Sequence, residues 1–171
     1  MGRLMPDYHY DSVFQVAYEE LLEKNIRNLI FDIDNTLAAY EHKTPTAKVV
    51  ALIRRLKRMG FNVCLLTNNT NKRLQHFDKT LELTGIANAL KPLSRGVQRA
   101  MGILGSTPAT TAIIGDQLLS DIWAGKNAGI TTVLVKPLSQ KDLAFVHLKR
   151  VVERRLLRKY FGNEYFDNTK P

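Results

Sequence analysis

The chain has 171 residues, a length that suits one compact domain with a buried core. A hydrophobic fraction of 44% and a charged fraction of 24% exclude wholesale disorder, collagen-like repeats and coiled coil, and a single cysteine excludes a disulfide framework or an all-cysteine metal site. Lys and Arg number 25 against 16 Asp and Glu, a net charge of +9 that favours an anionic partner: nucleic acid, an acidic membrane surface or a phosphorylated substrate.

Val13, Val16, Ala17, Leu21 and Leu22 recur at helical spacing and predict a helix over about 11–24. Residues 28–34, an apolar run closing on Asp32 and Asp34, read as a buried strand with a polar end. A helix over 45–59 opens with Pro45 and stops at Gly60. Residues 62–67 form a second strand, 71–83 a helix, and 86–90 a short third strand. Ser94 is a candidate N-cap for a helix to Leu104, followed by a strand over 111–116. A helix over 119–127 ends before Gly129, a fifth strand covers 130–135, and a basic amphipathic helix covers about 139–160. Cys64, inside an apolar run, reads as a buried inert thiol, and Trp123 as a packing residue or one that flanks an open site.

Alternating strands and helices predict an α/β fold, a central parallel sheet with helices on both faces. Ligands in such folds bind outside the carboxyl ends of the strands. Asp32, Asp34, Thr67, Lys91 and Asp116 all follow apolar runs, so several segments deliver polar groups to that one edge.

Asp32 and Asp34 share a face if the strand runs through both. If the chain turns after Asp32, Asp34 swings over a substrate held against Asp32. A carboxylate can attack phosphorus, and a second carboxyl can protonate the leaving oxygen and then activate water. Asp116 and Asp121 offer hard oxygen ligands of the kind Mg²⁺ takes, although a lone pair of this kind also caps helices. The Thr67 hydroxyl and the loop N–H groups of Asn68 and Asn69 can hold phosphate oxygens, or serve an ordinary turn. Lys91, unremarkable alone, would offset clustered negative charge beside a phosphate.

Taken in order, Asp32-Ile33-Asp34-Asn35-Thr36, Leu65-Leu66-Thr67-Asn68-Asn69, Lys91 and Gly115-Asp116 with Asp121 resemble the four motifs of the haloacid dehalogenase (HAD) superfamily. More narrowly, FDIDNTLA, LLTNN, KPL and GDQLLSDIWAGKNAG resemble the YqeG-type branch, which is similar to phosphatidylglycerophosphate phosphatases. The resemblance implies a Rossmann-like HAD fold and a phosphatase. Asp32 would be nucleophile and metal ligand. Asp34 would be the general acid/base and lend a backbone carbonyl to the metal. Thr67 and Asn68 would bind the phosphoryl group, Lys91 would stabilise its charge, Asp116 would ligate Mg²⁺ and Asp121 would support it. Only about 30 residues separate Thr36 from Thr67 and about 23 separate Thr67 from Lys91, which leaves no room for a cap domain.

The expected protein is a single domain over 1–171: a Mg²⁺-dependent phosphomonoesterase working through an aspartyl-phosphate, with phosphatidylglycerophosphate as the implied substrate. Nucleotides, nucleic-acid ends and phosphoproteins are alternative substrates, and a non-catalytic RNA- or ribosome-binding protein is the rival from another class. Eight Lys and Arg against Asp142 and Glu153 between Lys136 and Tyr160 suit an anionic membrane surface or a solvated helix face. The chain has no run of the roughly 18–20 apolar residues that a membrane span needs and no signal-peptide pattern, so the expected location is cytoplasmic, with a peripheral membrane association as the variant.

Overall fold

In the computed structural model, residues 4–139, 153 and 155–162 are described. The chain divides into two units, Met1–Gln140 and Lys141–Pro171. In the second, residues 155–161 are helical. Most of the basic helix expected over 139–160 lies outside the described residues.

The first unit is built on a six-stranded sheet of order β1-β6-β5-β2-β3-β4, and every neighbouring pair is parallel. The strands are β1 (Tyr8–Tyr10), β2 (Asn28–Phe31), β3 (Asn62–Leu66), β4 (Thr84–Ile86), β5 (Thr111–Gly115) and β6 (Thr131–Val135). The helices are α1 (Tyr18–Glu23), α2 (Ala47–Arg58), α3 (Asn71–Asp78), α4 (Arg95–Leu104) and α5 (Trp123–Ala128). The chain walks outward from β2 to β3 and β4, then returns to β5 on the other side. The topological switch point therefore lies between β2 and β5, where an open parallel sheet leaves a crevice.

Side chains alternate across the sheet. Leu29, Phe31, Leu65 and Ile114 join residues of α1, α2 and α3 in one core. Ile30, Cys64, Leu66 and Ile113 join Val97, Ala100 and Ala124 of α4 and α5 in the other. Each core closes locally. Thr46 caps α2 by accepting from the Val49 N–H at 3.3 Å, and Thr70 does the same for α3 through Arg73 N–H. Gly105 and Gly129 end α4 and α5 in the left-handed conformation that glycine adopts without cost. Cys64 is buried, and burial pushes its thiol up to about 12, which suits an inert core residue.

Several element boundaries differ from the sequence reading. The expected first helix shrinks to Tyr18–Glu23. Ser12 makes a turn instead, accepting from Phe14 N–H through its hydroxyl and from Gln15 N–H through its carbonyl. Val13 and Val16 are core residues all the same, so their spacing reported burial and not a helix. Strand β1 was missed, and the sheet has six strands where five were expected. Its Tyr-His-Tyr is a short edge segment whose period-two signal is only three residues long. Strand β4 falls at Thr84–Ile86 instead of 86–90, because Gly85 is a packing position and not a breaker: a Cβ there would lie 2.7 Å from Leu74 Cδ1. Helix α3 stops at Asp78, well before residue 83. Ser94 occupies the N-cap position of α4 without a capping side-chain bond.

Candidate active site

Strand β2 ends at Phe31, but Asp32 stays in register because its N–H donates to Ile114 O at 2.9 Å. This places the nearly buried Asp32 carboxyl at the switch point. The chain then turns. The N–H groups of Leu37 and Ala38 both donate to Ile33 O at 3.0 Å, and Asn35 takes a left-handed φ of 65°, which asparagine tolerates better than most residues. The second of the two geometries open in the sequence is the one adopted. Asp34 leaves the strand face of Asp32 and turns toward α3. There Arg73 Nε donates to Asp34 Oδ1 at 2.9 Å and Asn69 Nδ2 donates to Asp34 Oδ2 at 3.3 Å.

Lys91 is the hub. Its ammonium donates to Asp32 Oδ1 and Asp121 Oδ1, both at 2.6 Å, and to Leu66 O at 3.0 Å. Its side chain is 2% exposed. The Asn68 side chain holds the Lys91 backbone at both ends: Oδ1 accepts from Lys91 N–H at 2.8 Å and Nδ2 donates to Lys91 O at 3.1 Å. Asn68 is expected to bind phosphate through its backbone N–H. Its side chain is occupied in fixing Lys91, which leaves its backbone N–H for that task. Thr67 Oγ1 accepts from Asn69 N–H at 3.0 Å and keeps its own hydroxyl proton to donate.

Asp116 follows β5, and Thr36 donates to its Oδ1 at 3.4 Å. Asp121 sits in a wide turn in which the N–H groups of Asp121 and Ile122 both reach Gln117 O, at 2.9 and 3.2 Å. Such widened turns recur at functional sites because they re-aim a side chain. Here the turn folds the Asp121 carboxyl back over Gly115, and a Cβ on residue 115 would lie 2.3 Å from Asp121 Cγ. Glycine is thus the residue that fits, and the Gly115-Asp116 pair has a steric reason.

Asp32, Asp116 and Asp121 each offer an oxygen within 4.8 Å of the others. Among the described residues this cluster holds three carboxylates and one ammonium. Its all-oxygen donor set and surplus negative charge fit a hard divalent cation such as Mg²⁺. Burial would lower Lys91, but the charges on Asp121 and Asp32 raise it above its ordinary value, so it stays protonated. Burial pushes the Asp32 carboxyl up to about 7 in the metal-free protein, with Lys91 opposing the rise and Asp121 adding to it.

A carboxyl that binds its proton more tightly folded than unfolded stabilises the fold below its unfolded pKa, and that contribution disappears as the pH rises through the folded value. Metal-free Asp32→Asn should therefore gain melting temperature relative to wild type as the pH rises from about 4 to about 7. Thermal melts of both proteins across that window check it, and a constant difference would contradict the shift.

The structure brings together Asp32, Thr67, Lys91, Asp116 and Asp121, with Asp34 at the rim. Sequence reasoning missed Arg73, which also donates through Nη1 to Lys43 O at 2.8 Å and so ties the loop before α2 to α3. Nothing marks it in sequence, since it is one cation among many in a basic chain. Trp123, expected either to pack or to flank the open site, is 39% exposed. Residues 39–46 and 67–70, which lead from β2 and β3 into their helices, contain no inserted domain. No helix among the described residues is long and apolar enough to cross a membrane.

Comparison with known proteins bears directly on this arrangement. A family model described as haloacid dehalogenase-like hydrolase matches residues 11–129. The probable phosphatase YqeG of Bacillus subtilis is 31% identical over 153 residues, covering 90% of this chain and 89% of that protein. Phosphatidylglycerophosphate phosphatase 1, chloroplastic/mitochondrial, of Arabidopsis thaliana is 25% identical over 167 residues, covering 92% of this chain but 48% of that longer protein. Among solved structures, the cobalt-bound deoxy-D-mannose-octulosonate 8-phosphate phosphatase of Haemophilus influenzae aligns with a TM-score of 0.51 at 20% identity, over 77% of this chain and 89% of that one. That last likeness is one of fold.

Proposed function

Because the chain belongs to the haloacid dehalogenase-like hydrolases and to their YqeG-type phosphatases, we propose that it is a Mg²⁺-dependent phosphomonoesterase forming an aspartyl-phosphate on Asp32. One observation carries the reading: the buried Lys91 ammonium holds the Asp32 and Asp121 carboxylates, each at 2.6 Å, at the switch point of the sheet. A lysine fixed at both its ammonium and its backbone keeps a carboxylate aimed and leaves positive charge where phosphoryl oxygens gather.

In this mechanism an Asp32 carboxylate oxygen attacks phosphorus as the bond to the leaving oxygen breaks. Asp34 gives its proton to that oxygen. Asp34 then takes a proton from water, the water oxygen attacks the phosphorus of the aspartyl-phosphate, and phosphate leaves with Asp32 regenerated. Thr67 Oγ1–H and the Asn68 N–H orient the phosphoryl group. The Asp32 and Asp116 carboxylates and the Asp34 carbonyl would hold Mg²⁺, supported by Asp121. The ion would supply charge stabilisation to the phosphoryl oxygens. The reading treats the chain as one phosphatase domain, with every named group in the first unit.

Arg73 is the positioning residue for Asp34, and this has a kinetic signature. An alkyl leaving group needs the proton from Asp34, whereas p-nitrophenolate leaves without it. Because Asp34 also activates water in the second step, the difference appears in the first step alone: Arg73→Met should slow single-turnover phosphorylation by an alkyl phosphate about tenfold or more while changing the p-nitrophenol burst rate little. Equal losses on both esters would reduce Arg73 to a structural role.

The substrate proposed is a lipid phosphomonoester, phosphatidylglycerophosphate. The likeness to the Arabidopsis enzyme, the uncapped approach to the site and the net charge of +9 support it. Phosphate release from that lipid in mixed micelles, with Mg²⁺ or EDTA, beside nucleotides, phosphorylated oligonucleotides and phosphopeptides, tests the reading. Mg²⁺-dependent turnover preferring the lipid is expected. Preference for a soluble ester would overturn the substrate, and no turnover of any ester would overturn the reaction.

A further inference from the structure

The active-site rim carries exposed apolar side chains that no core accounts for. Leu90 and Leu93, on either side of Lys91 and Pro92, are 65% and 59% exposed. Leu93 N–H donates to Leu90 O at 3.0 Å, so the two leucines bracket one tight turn. Leu90 also holds a left-handed φ of 57°, a conformation that costs a bulky residue energy without any packing in return. Asn127 Nδ2 donates to Pro92 O at 3.1 Å, which docks α5 against this turn. Trp123 lies four residues earlier on the same face of α5, toward the site, and is exposed. A hydrophobic rim of Leu90, Leu93 and Trp123 therefore borders the mouth of the Lys91 site.

Charge gives this face its partner. From Leu83 to Lys141 the only acidic residues are Asp116 and Asp121, and both are buried in the catalytic cluster. The same stretch carries Arg95 and Arg99, exposed and one turn apart on α4 directly after the leucine turn. Apolar tips with a tryptophan and flanking arginines, in a stretch whose own acids are buried, match the interface of an anionic bilayer. A nucleic acid would be met by the arginines but would gain nothing from exposed leucines.

We propose that Leu90, Leu93 and Trp123 form a docking surface that inserts into an anionic lipid bilayer and presents the site mouth to headgroup phosphates. The proposal rests on the phosphatase reading and adds how a lipid substrate reaches the site without leaving the membrane. It is independent of the basic C-terminal segment.

Trp123 is the only tryptophan of the chain, so its emission reports on this surface alone. The full chain is titrated with phosphatidylcholine vesicles with and without phosphatidylglycerol, and then with vesicles of brominated lipid. The expected result is a blue shift and bromine quenching on anionic vesicles. A Leu90→Ser/Leu93→Ser double variant should lose about tenfold in vesicle affinity, and a similar factor in turnover of a vesicle-borne phosphate ester. Its turnover of soluble p-nitrophenyl phosphate should match wild type. Vesicle binding with unchanged emission, and unweakened in the double variant, would overturn the proposal. An emission shift with RNA and none with vesicles would overturn it in favour of a nucleic acid. Failure of p-nitrophenyl phosphate turnover in wild type is a separate result, since it strikes the phosphatase reading and not the docking surface.

Discussion

Asp32→Asn should abolish phosphate release, by about a thousandfold or more, in a protein that remains folded. The substitution is isosteric, and its amide oxygen can still accept from Lys91. It removes the nucleophile, because a carboxamide oxygen does not form the acyl phosphate through which the two-step reaction runs. Turnover of both alkyl and aryl phosphates should vanish together, since both need the same first bond to phosphorus. Binding of a phosphate ester should survive, because Thr67, the Asn68 N–H and Lys91 remain. A variant with a few per cent of wild-type turnover would move the nucleophile elsewhere. Phosphate release at saturating ester, alongside a melt to verify folding, decides it.

Lys91→Met should cause the largest loss of stability. Asp32 and Asp121 lie on either side of the ammonium, 2.6 Å from it, and both are buried. Methionine fills much of the space but leaves two carboxylates facing each other without their counter-charge. Removing one partner of a buried ion pair costs about 3–5 kcal/mol, since the stranded charge has already lost its hydration. For a chain of this size that is a fall of roughly 10 °C in melting temperature. The loss should shrink in acid, where protons take over from the ammonium. Urea melts at neutral and acid pH measure both effects, and a pH-independent loss would mean that packing and not charge is at stake.

The clustering of Asp32, Thr67, Lys91 and Asp116 was legible in sequence because each follows an apolar run. A buried parallel strand forces its last polar residue to the sheet edge, so Asp32, Thr67 and Asp116 were placed by burial alone. Lys91 and Asp121, read from the residues as weak signals on their own, gained weight from the resemblance, since their positions depend on loops. The turn after Asp32 was left open by the residues, and the structure settles it through the Ile33 carbonyl and the left-handed Asn35. Arg73 and the second role of Asn68 were illegible, because both depend on which loop meets which across the crevice. The missed β1 and the short α1 have the same origin. Val13 and Val16 showed that the segment is buried, but the Ser12 turn that shapes it is a local hydrogen-bond choice with little periodic trace. The leucine turn at the rim escaped notice for the opposite reason: Leu90 closes the strand expected over 86–90, and nothing in the sequence marks Leu93 as exposed.

Covalent trapping decides whether phosphoryl transfer runs through Asp32. Asp34→Asn is mixed with p-nitrophenyl phosphate and Mg²⁺, conditions in which the ester needs no acid to react but the intermediate lacks its base. The protein is then reduced with borohydride, which converts an aspartyl-phosphate to homoserine, and mapped by mass spectrometry. Homoserine at position 32, with Asp116 and Asp121 unmodified, is the expected result. Release of p-nitrophenol with Asp32 left intact, or reduction at another carboxyl, would contradict it.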